Sequence, residues 1–513
     1  MGRSPLHIWL VTATGLLAFF TMVFSSTMAN VAIPHVMGAY GIGQDRAQFL
    51  ATAFLATNTA SLLVNRWLVA RIGQRRAFTL SLVLFGIGSM ICWWAPNFSL
   101  VVAGRIVQGL SSGIVQPLVM VVLFQVFPSD RRGLAMGLFS MGVVFALGLG
   151  PAIGGLTIDL LEWRYIFLVP LPAAALALAL GFLFIPERQQ RAVPGPFDAL
   201  GFVLVAIAIF LLTTGIASGQ RQGWFSDYML VIWGGFVIAG GGFLLSQCRA
   251  RASLLDLSLF RNLRFAAAGT TSFVFAFASF GTVYIFPVFG QIVPGYTASE
   301  AGSLLLPGCA VAAVLLPLAG RLSDRFPAPL IVIGGMAAAM TSAVLMANAD
   351  SDTAFWTIAG YLLLNRIGVA FVTPALNNTA LAALEPRQLD SGAGVANLLL
   401  MLGGSCGINI LVVVLERRIG HHSDAFAATQ TAANDATREL LGRVGSILGR
   451  AGLPDGMREQ AALDYLSHVV AAQANMLGFQ DGFLTMALFC VLPMLPVCLL
   501  ISRTGRIGGT IRQ

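Results

Sequence analysis

The chain is expected to be an all-helical membrane protein that crosses the bilayer many times. Of its 513 residues, 57% are apolar and only 10% are charged. Mean hydropathy is +0.82. Apolar stretches of about 20 residues, the length a helix needs to cross a hydrocarbon core, recur from end to end. A water-soluble chain of this size could not cover its surface with so few charges, which excludes a soluble enzyme, a secreted scaffold and a disordered linker.

The expected spans follow in chain order. The first, near 9–33, is too long and too polar at its end for a cleaved signal peptide. Runs near 48–66, 77–95, 99–124, 134–158, 165–185 and 199–218 bring the first part of the chain to seven. Seven more lie near 228–248, 265–291, 301–320, 329–348, 354–380, 391–415 and 483–502. Fourteen spans place both termini on one side of the membrane, and the distribution of Arg says which. With the N-terminus inside, the inner connections hold 19 Arg and the short outer loops only Arg46, Arg164 and Arg221, the bias of a bacterial inner-membrane protein with both termini cytoplasmic. The net charge of +8 comes from Arg alone, since the chain has no Lys. It is read as topological, with the bilayer as partner and no nucleic acid.

The long outer segment, about 417–480, reads as two amphipathic helices. Leu440, Leu441, Val444 and Leu448 recur at helical spacing, Gly452 and Pro454 interrupt, and Leu463, Leu466, Val469 and Val470 resume. Their apolar faces need a cover: each other, the membrane surface or a partner protein. The six cysteines, Cys92, Cys248, Cys309, Cys406, Cys490 and Cys498, have no metal-ligand spacing. No nucleophile triad or phosphate-cradling loop appears, so the chain is read as a non-enzyme without metal or cofactor.

Internal repetition is visible. Arg105, Gly154 and Ala70 have counterparts in Arg366, Gly407 and Asp324 at offsets of 253 to 261 residues. Such offsets suggest two parallel six-helix halves, at 1–190 and 261–513, with two inserted spans at 191–260.

Arg105 stands inside an apolar run, where a guanidinium costs several kcal/mol unless it meets an anion, carbonyls or water. It either faces a cavity or bonds backbone carbonyls within its own half; Arg366 poses the same choice. Polar side chains at similar depth include Ser25, Asn30, Gln108, Gln116, Asn365 and Asn378, each an interhelical bond or a ligand contact. Phe273, Phe277 and Phe280 share a helix face, as packing rings or as a hydrophobic substrate wall. The 22 acidic residues all fall in loops or at span ends. A cavity holding Arg105 and Arg366 would therefore be electropositive and would favour anionic or zwitterionic amphipaths.

Five strings carry a family resemblance. They are Ser26-Thr-Met-Ala-Asn-Val-Ala-Ile-Pro34, Arg71-Ile-Gly-Gln-Arg-Arg76, Gly104-Arg-Ile-Val-Gln-Gly109, Gly148-Leu-Gly-Pro-Ala-Ile-Gly-Gly155 and Trp163-Arg-Tyr-Ile-Phe167. In this order, at these spans, the chain resembles a major facilitator superfamily transporter of the 14-span drug:proton antiporter group, the EmrB-like transporters. The resemblance implies a multidrug-type efflux carrier that works by alternating access with proton antiport. It implies that Arg105 couples protonation to substrate binding and that Gly150, Pro151, Gly154 and Gly155 form the antiporter motif, sealing the junction of the halves. It also implies a cytoplasmic lock from Arg71, Gly73 and Arg75, repeated as Gly320, Asp324 and Arg325, and a periplasmic membrane-fusion adaptor as partner. Two departures stand out. The family's usual Gly and Asp of the first lock fall on Arg66 and Ala70, and its usual first-span Asp is Ser25. His35, just past Pro34, is the only substitute there that titrates near neutral pH. These departures leave two rivals to the proton-linked exporter: a facilitator or anion-coupled carrier, and a transporter-like sensor that moves nothing.

Overall fold

A computed structural model describes residues 5–497 apart from 43, 48, 188–196, 250–253, 432, 495 and 496. The expected boundary at 190, Arg3, Arg188, Arg191, Arg251, the Arg residues beyond 500, and Cys498 lie outside the described residues. Among those described there are nineteen α-helices and no strand.

The first group opens with α1 (Pro5–Val31) and two short helices, α2 (Ile33–Tyr40) and α3 (Gln44–Ala47). Pro34 in the first turn of α2, with no N–H to donate, marks the break after α1. Then come α4 (Phe49–Ser61), α5 (Val64–Ile72), α6 (Gln74–Trp94), α7 (Phe98–Val126), α8 (Arg132–Leu160) and α9 (Leu171–Phe184). The pair α10 (Ala199–Gln222) and α11 (Asp227–Arg249) pack on each other, and α10 leans on α4. Asp198 joins the pair: it caps α10 at Gly201 N, 2.8 Å, and accepts from Gln247 Nε2 of α11 at 2.8 Å. The last group is α12 (Leu263–Ile292), α13 (Ala298–Ser303), α14 (Leu305–Arg325), α15 (Ala328–Met346), α16 (Phe355–Ala382), α17 (Leu389–Thr429), α18 (Asp435–Arg450) and α19 (Asp455–Val491).

Thirteen of these helices, not fourteen, are long and apolar enough to cross a membrane. The expected span near 48–66 is the exception, because the chain turns at Leu62–Leu63 and splits it into α4 and α5. Arg66 and Arg71 make the second piece polar, so neither piece qualifies alone. The turn also serves packing, since a side chain at Gly394 of α17 would come within 2.6 Å of the Leu62 carbonyl oxygen.

The segment at about 417–480 also differs from expectation. It holds one separate amphipathic helix, α18, because its flanks are continuations of spanning helices. The 41 residues of α17 and 37 of α19 correspond to about 60 and 55 Å of helix, against a hydrocarbon core of about 30 Å. The two extensions are braced where His422 Nε2 meets Asp481 Oδ2 at 2.9 Å and Arg418 Nε lies 3.7 Å from the same oxygen. Expected stripe residues Leu440, Leu441, Val444 and Leu448 are half-buried, whereas Leu463 and Val469 are exposed.

Buried apolar residues form one core among α1, α6, α7, α8 and α9 and a second among α12, α14, α15, α16, α17 and α19. The two groups meet along α8 and α14 and where α7 touches α17. Small residues allow that approach, as dispersion forces rather than hydrophobicity hold helices together in lipid.

Candidate functional site

The two membrane arginines have opposite surroundings. Arg105 of α7 is fully buried. It is held by Gly-lined packing of α6 on α7, in which a methyl at Gly104 would lie 2.8 Å from the Gly88 carbonyl oxygen. Its Nε donates to the Leu50 carbonyl and its Nη1 to Gln108 Oε1, both at 2.9 Å. Gln108 Nε2 passes the chain on to Ser89 Oγ at 2.8 Å. The guanidinium carbon stands 4.2 Å from the centre of the Phe54 ring. This is the carbonyl-bonded arrangement, with Nη2 left without a partner.

Arg366 of α16 is 5% exposed, yet its Nε and Nη2 have no hydrogen-bond partner. Among the described residues it makes no ion pair. Gly308 of α14 makes room for it: a methyl there would sit 2.7 Å from Arg366 Cγ. The neighbouring Cys309 thiol lies close enough to interact with its charge, and a methyl at Gly148 of α8 would be 2.8 Å from Cys309 Sγ. Arg366 thus lies beside α14, next to where the two groups of helices meet. The sequence set Arg105 apart by its stronger motif, Gly104 to Gly109, and gave no sign of this difference in hydrogen bonding.

In α8, a side chain at Gly150 would collide with Thr27 of α1, and one at Gly154 would lie 3.2 Å from Met28 Cα. Thr27 Oγ1 reaches across to the Ala146 carbonyl at 3.2 Å. Pro151 lies inside the helix and Gly155 meets nothing within 4 Å. The motif therefore packs mainly on α1, within its own group, while Gly148 is the residue that reaches α14.

At the Arg-rich end the backbones of α8 and α14 touch. A methyl on Gly320 would collide with the Gly133 carbonyl, and the converse holds. Asp324 Oδ1 accepts from Gly133 N at 2.8 Å, capping the first turn of α8 across the junction. Gly320 and Asp324 are thus brought together, while Arg325 is exposed. The first-copy residues act elsewhere. Gly73 takes φ +85° between α5 and α6, and Arg75 Nε donates to Ile185 O at 2.9 Å, within its own group. Arg71 is exposed, and Arg66 lies 3.5 Å from Asp256 Oδ2.

Ser25 is buried and its Oγ lacks a partner; the side chain of Asn30 lies outside the described residues. His35 is exposed on α2. Gly403 and Gly407 of α17 lie against the backbone at Phe273 and Phe277, Gly404 lies against the Phe280 ring, and the Phe273 and Phe277 rings meet edge to face at 5.4 Å. A groove of about 490 Å³ between α6 and α9 is lined by apolar side chains such as Val83, Ile87 and Leu178 and touches none of the candidate residues. Sequence reasoning missed Asn397 of α17, whose Oδ1 accepts from Gln116 Nε2 of α7 at 2.7 Å. An amide inside an apolar run was the available signal.

Comparison with known proteins places this geometry. A family model for the Major Facilitator Superfamily matches residues 15–408. The chain is 27% identical to the uncharacterized MFS-type transporter YhcA of Bacillus subtilis, covering 96% of this chain and 92% of that protein. It is 25% identical to the multidrug export protein EmrB of Haemophilus influenzae, covering 92% of each. Among solved structures, the human organic anion transporter MFSD10 superposes with a TM-score of 0.64 at 14% identity, covering 96% of this chain and all of that one, which speaks to fold. With its all-helical membrane architecture and this match across most of its length, the chain belongs to the major facilitator superfamily.

Proposed function

We propose that this transporter exports amphipathic small molecules across the bacterial inner membrane by alternating access driven by protons, with its Arg-rich end and both termini in the cytoplasm. The carrying observation is the α8–α14 junction, where Asp324 caps a helix of the opposite group across a contact of bare backbone. A contact of that kind is made or lost as a unit, as a two-state gate requires. The glycine-lined packing of α8 and the relative named as a multidrug export protein support the same reading. The units are taken as two six-helix halves, at 1–190 and 261–513, with α10 and α11 between them. A periplasmic membrane-fusion adaptor would dock on α18 and the projecting end of α19.

One observation favours a second reading. Ser25 stands where the group usually has an acid, and its hydroxyl is buried without a partner, so a facilitator or anion-coupled carrier would keep this fold without the proton site. Proteoliposomes loaded with a pH-sensitive dye separate the two. The first reading expects added amphipathic substrate to release or take up protons in step with its own movement. Movement without proton flux supports the second, and movement of nothing refutes both.

A further inference from the structure

We propose that Arg366, and not Arg105, is the receptor for an anionic head group, and that the cargo class therefore includes carboxylate-bearing amphipaths. The inference rests on the export reading and names its substrate chemistry. Both arginines are buried, but their hydrogen bonding differs where it counts. Arg105 spends Nε on the Leu50 carbonyl and Nη1 on Gln108, and stacks on Phe54. Its charge is met by fixed parts of its own half, and the side-on edge of its fork has only Nη2 left, Nε being committed to the Leu50 carbonyl, so it cannot take both oxygens of a carboxylate in parallel. Arg366 has Nε and Nη2 both buried and both without a partner. Those two N–H groups lie on the same edge of the guanidinium plane, the edge that receives the two oxygens of one carboxylate in parallel. No described carboxylate pairs with it. A guanidinium left in that condition in a low-dielectric interior is costly, and an incoming anion removes the cost while supplying both acceptors.

The surroundings fit a head group rather than another protein residue. Gly308 presents no side chain against the base of Arg366, and among the described residues the ionisable group beside it is the small thiol of Cys309. Cys309 in turn packs on Gly148 of α8, so an anion at Arg366 would sit one residue's width from the α8–α14 junction. Occupancy could then be sensed where the two halves meet, which a ligand at Arg105, enclosed by α4, α6 and α7, could not achieve directly.

The test uses the full-length protein in detergent and two fluorescent probes, a dansyl-labelled alkyl carboxylate and its primary amide, which share the same tail and differ only in the head group, a charged pair of acceptor oxygens against a neutral group with one. Wild type is expected to bind the carboxylate at least about tenfold tighter than the amide, the preference that a charge-assisted fork gives. R366Q should bring the ratio to about one while amide binding persists, which also shows that the variant is folded. R366K, which keeps the charge and loses the fork, should forfeit most of the preference and serves if R366Q is not recovered. Equal binding of the two probes by wild type overturns the proposal, as does an undiminished preference in R366Q or R366K. Binding of a lipophilic cation but of neither dansyl probe overturns it too, and leaves the export reading standing. Conversely, a wild type that prefers the carboxylate yet moves it across no vesicle membrane upholds the receptor and refutes export.

Discussion

Adding one methyl group at Gly320 tests whether the α8–α14 contact is a gate. In G320A the new carbon collides with the Gly133 carbonyl oxygen and lies 3.2 Å from Gly137 Cα. Both obstacles are backbone of α8, so no rotamer change can relieve them. The helices must separate by about 1 Å to restore ordinary contact distances. Overpacking of this kind costs about 1–3 kcal/mol. If the contact exists in only one of two states, the whole cost falls on that state, and its population relative to the other drops by roughly 5- to 150-fold. Spin labels at Arg131 and Arg321, both exposed at this end of the bundle, would read the change by pulsed distance measurement on a background with the exposed Cys248 replaced by Ser. The expected result is a new, longer distance population in G320A and a corresponding fall in transport. An unchanged distance distribution together with a lowered melting temperature would refute the reasoning, because it would mean that both states carry the contact and that Gly320 serves stability alone.

Three further outcomes are expected. R105A should abolish transport while the protein remains inserted, and R105K should rescue it poorly, because an ammonium cannot span the Leu50 carbonyl and Gln108 together; full transport in R105A would count against any role. A double-mutant cycle on Q116A and N397A should show a coupling of about 0.5–1.5 kcal/mol in thermal or denaturant stability, the worth of one buried amide bond; additivity would place the bond outside the working state. Replacing Leu463, Leu466 and Val470 by Ser should weaken pull-down of a periplasmic adaptor without altering membrane insertion, and undiminished pull-down would remove this face as the docking site.

Much of the architecture was legible because membrane helices announce themselves by composition. Twenty apolar residues in a row admit few other structures when every backbone group must be bonded internally. The same averaging hid the break at Leu62–Leu63, since a two-residue turn leaves a hydropathy profile unchanged while halving the helix. The segment at about 417–480 departs from its pattern for a related reason: Gly452 and Pro454 do interrupt it, but nothing in the pattern between 415 and 429 tells a helix to stop at the membrane surface. Arg105 and Arg366 were both picked out as costly residues, yet their sorting was invisible. The partner of Arg105 is a backbone carbonyl 55 positions away, and a carbonyl belongs to every residue alike. Gln116 and Asn397 are 281 positions apart, and only the packing of α7 on α17 brings their amides together. Asp324 was the most readable case, since its function as a cap needs an acid at a helix end, and that is where the sequence shows one.

The length of α17 links the two faces of the membrane mechanically. Its backbone is one uninterrupted helix from Gly394, pressed against the Leu62 carbonyl at one end, to Thr429 at the other, a rod of about 50 Å. A tilt of about 6° pivoting on the Gly394 contact would swing the far tip by about 5 Å, with α19 drawn along through the Asp481 brace. A change too small to notice at the pivot becomes a displacement as large as a helix turn at the tip. The converse follows from linkage: whatever clamps the tip loads the pivot, so a bound partner could bias the Gly394–Leu62 contact without touching it.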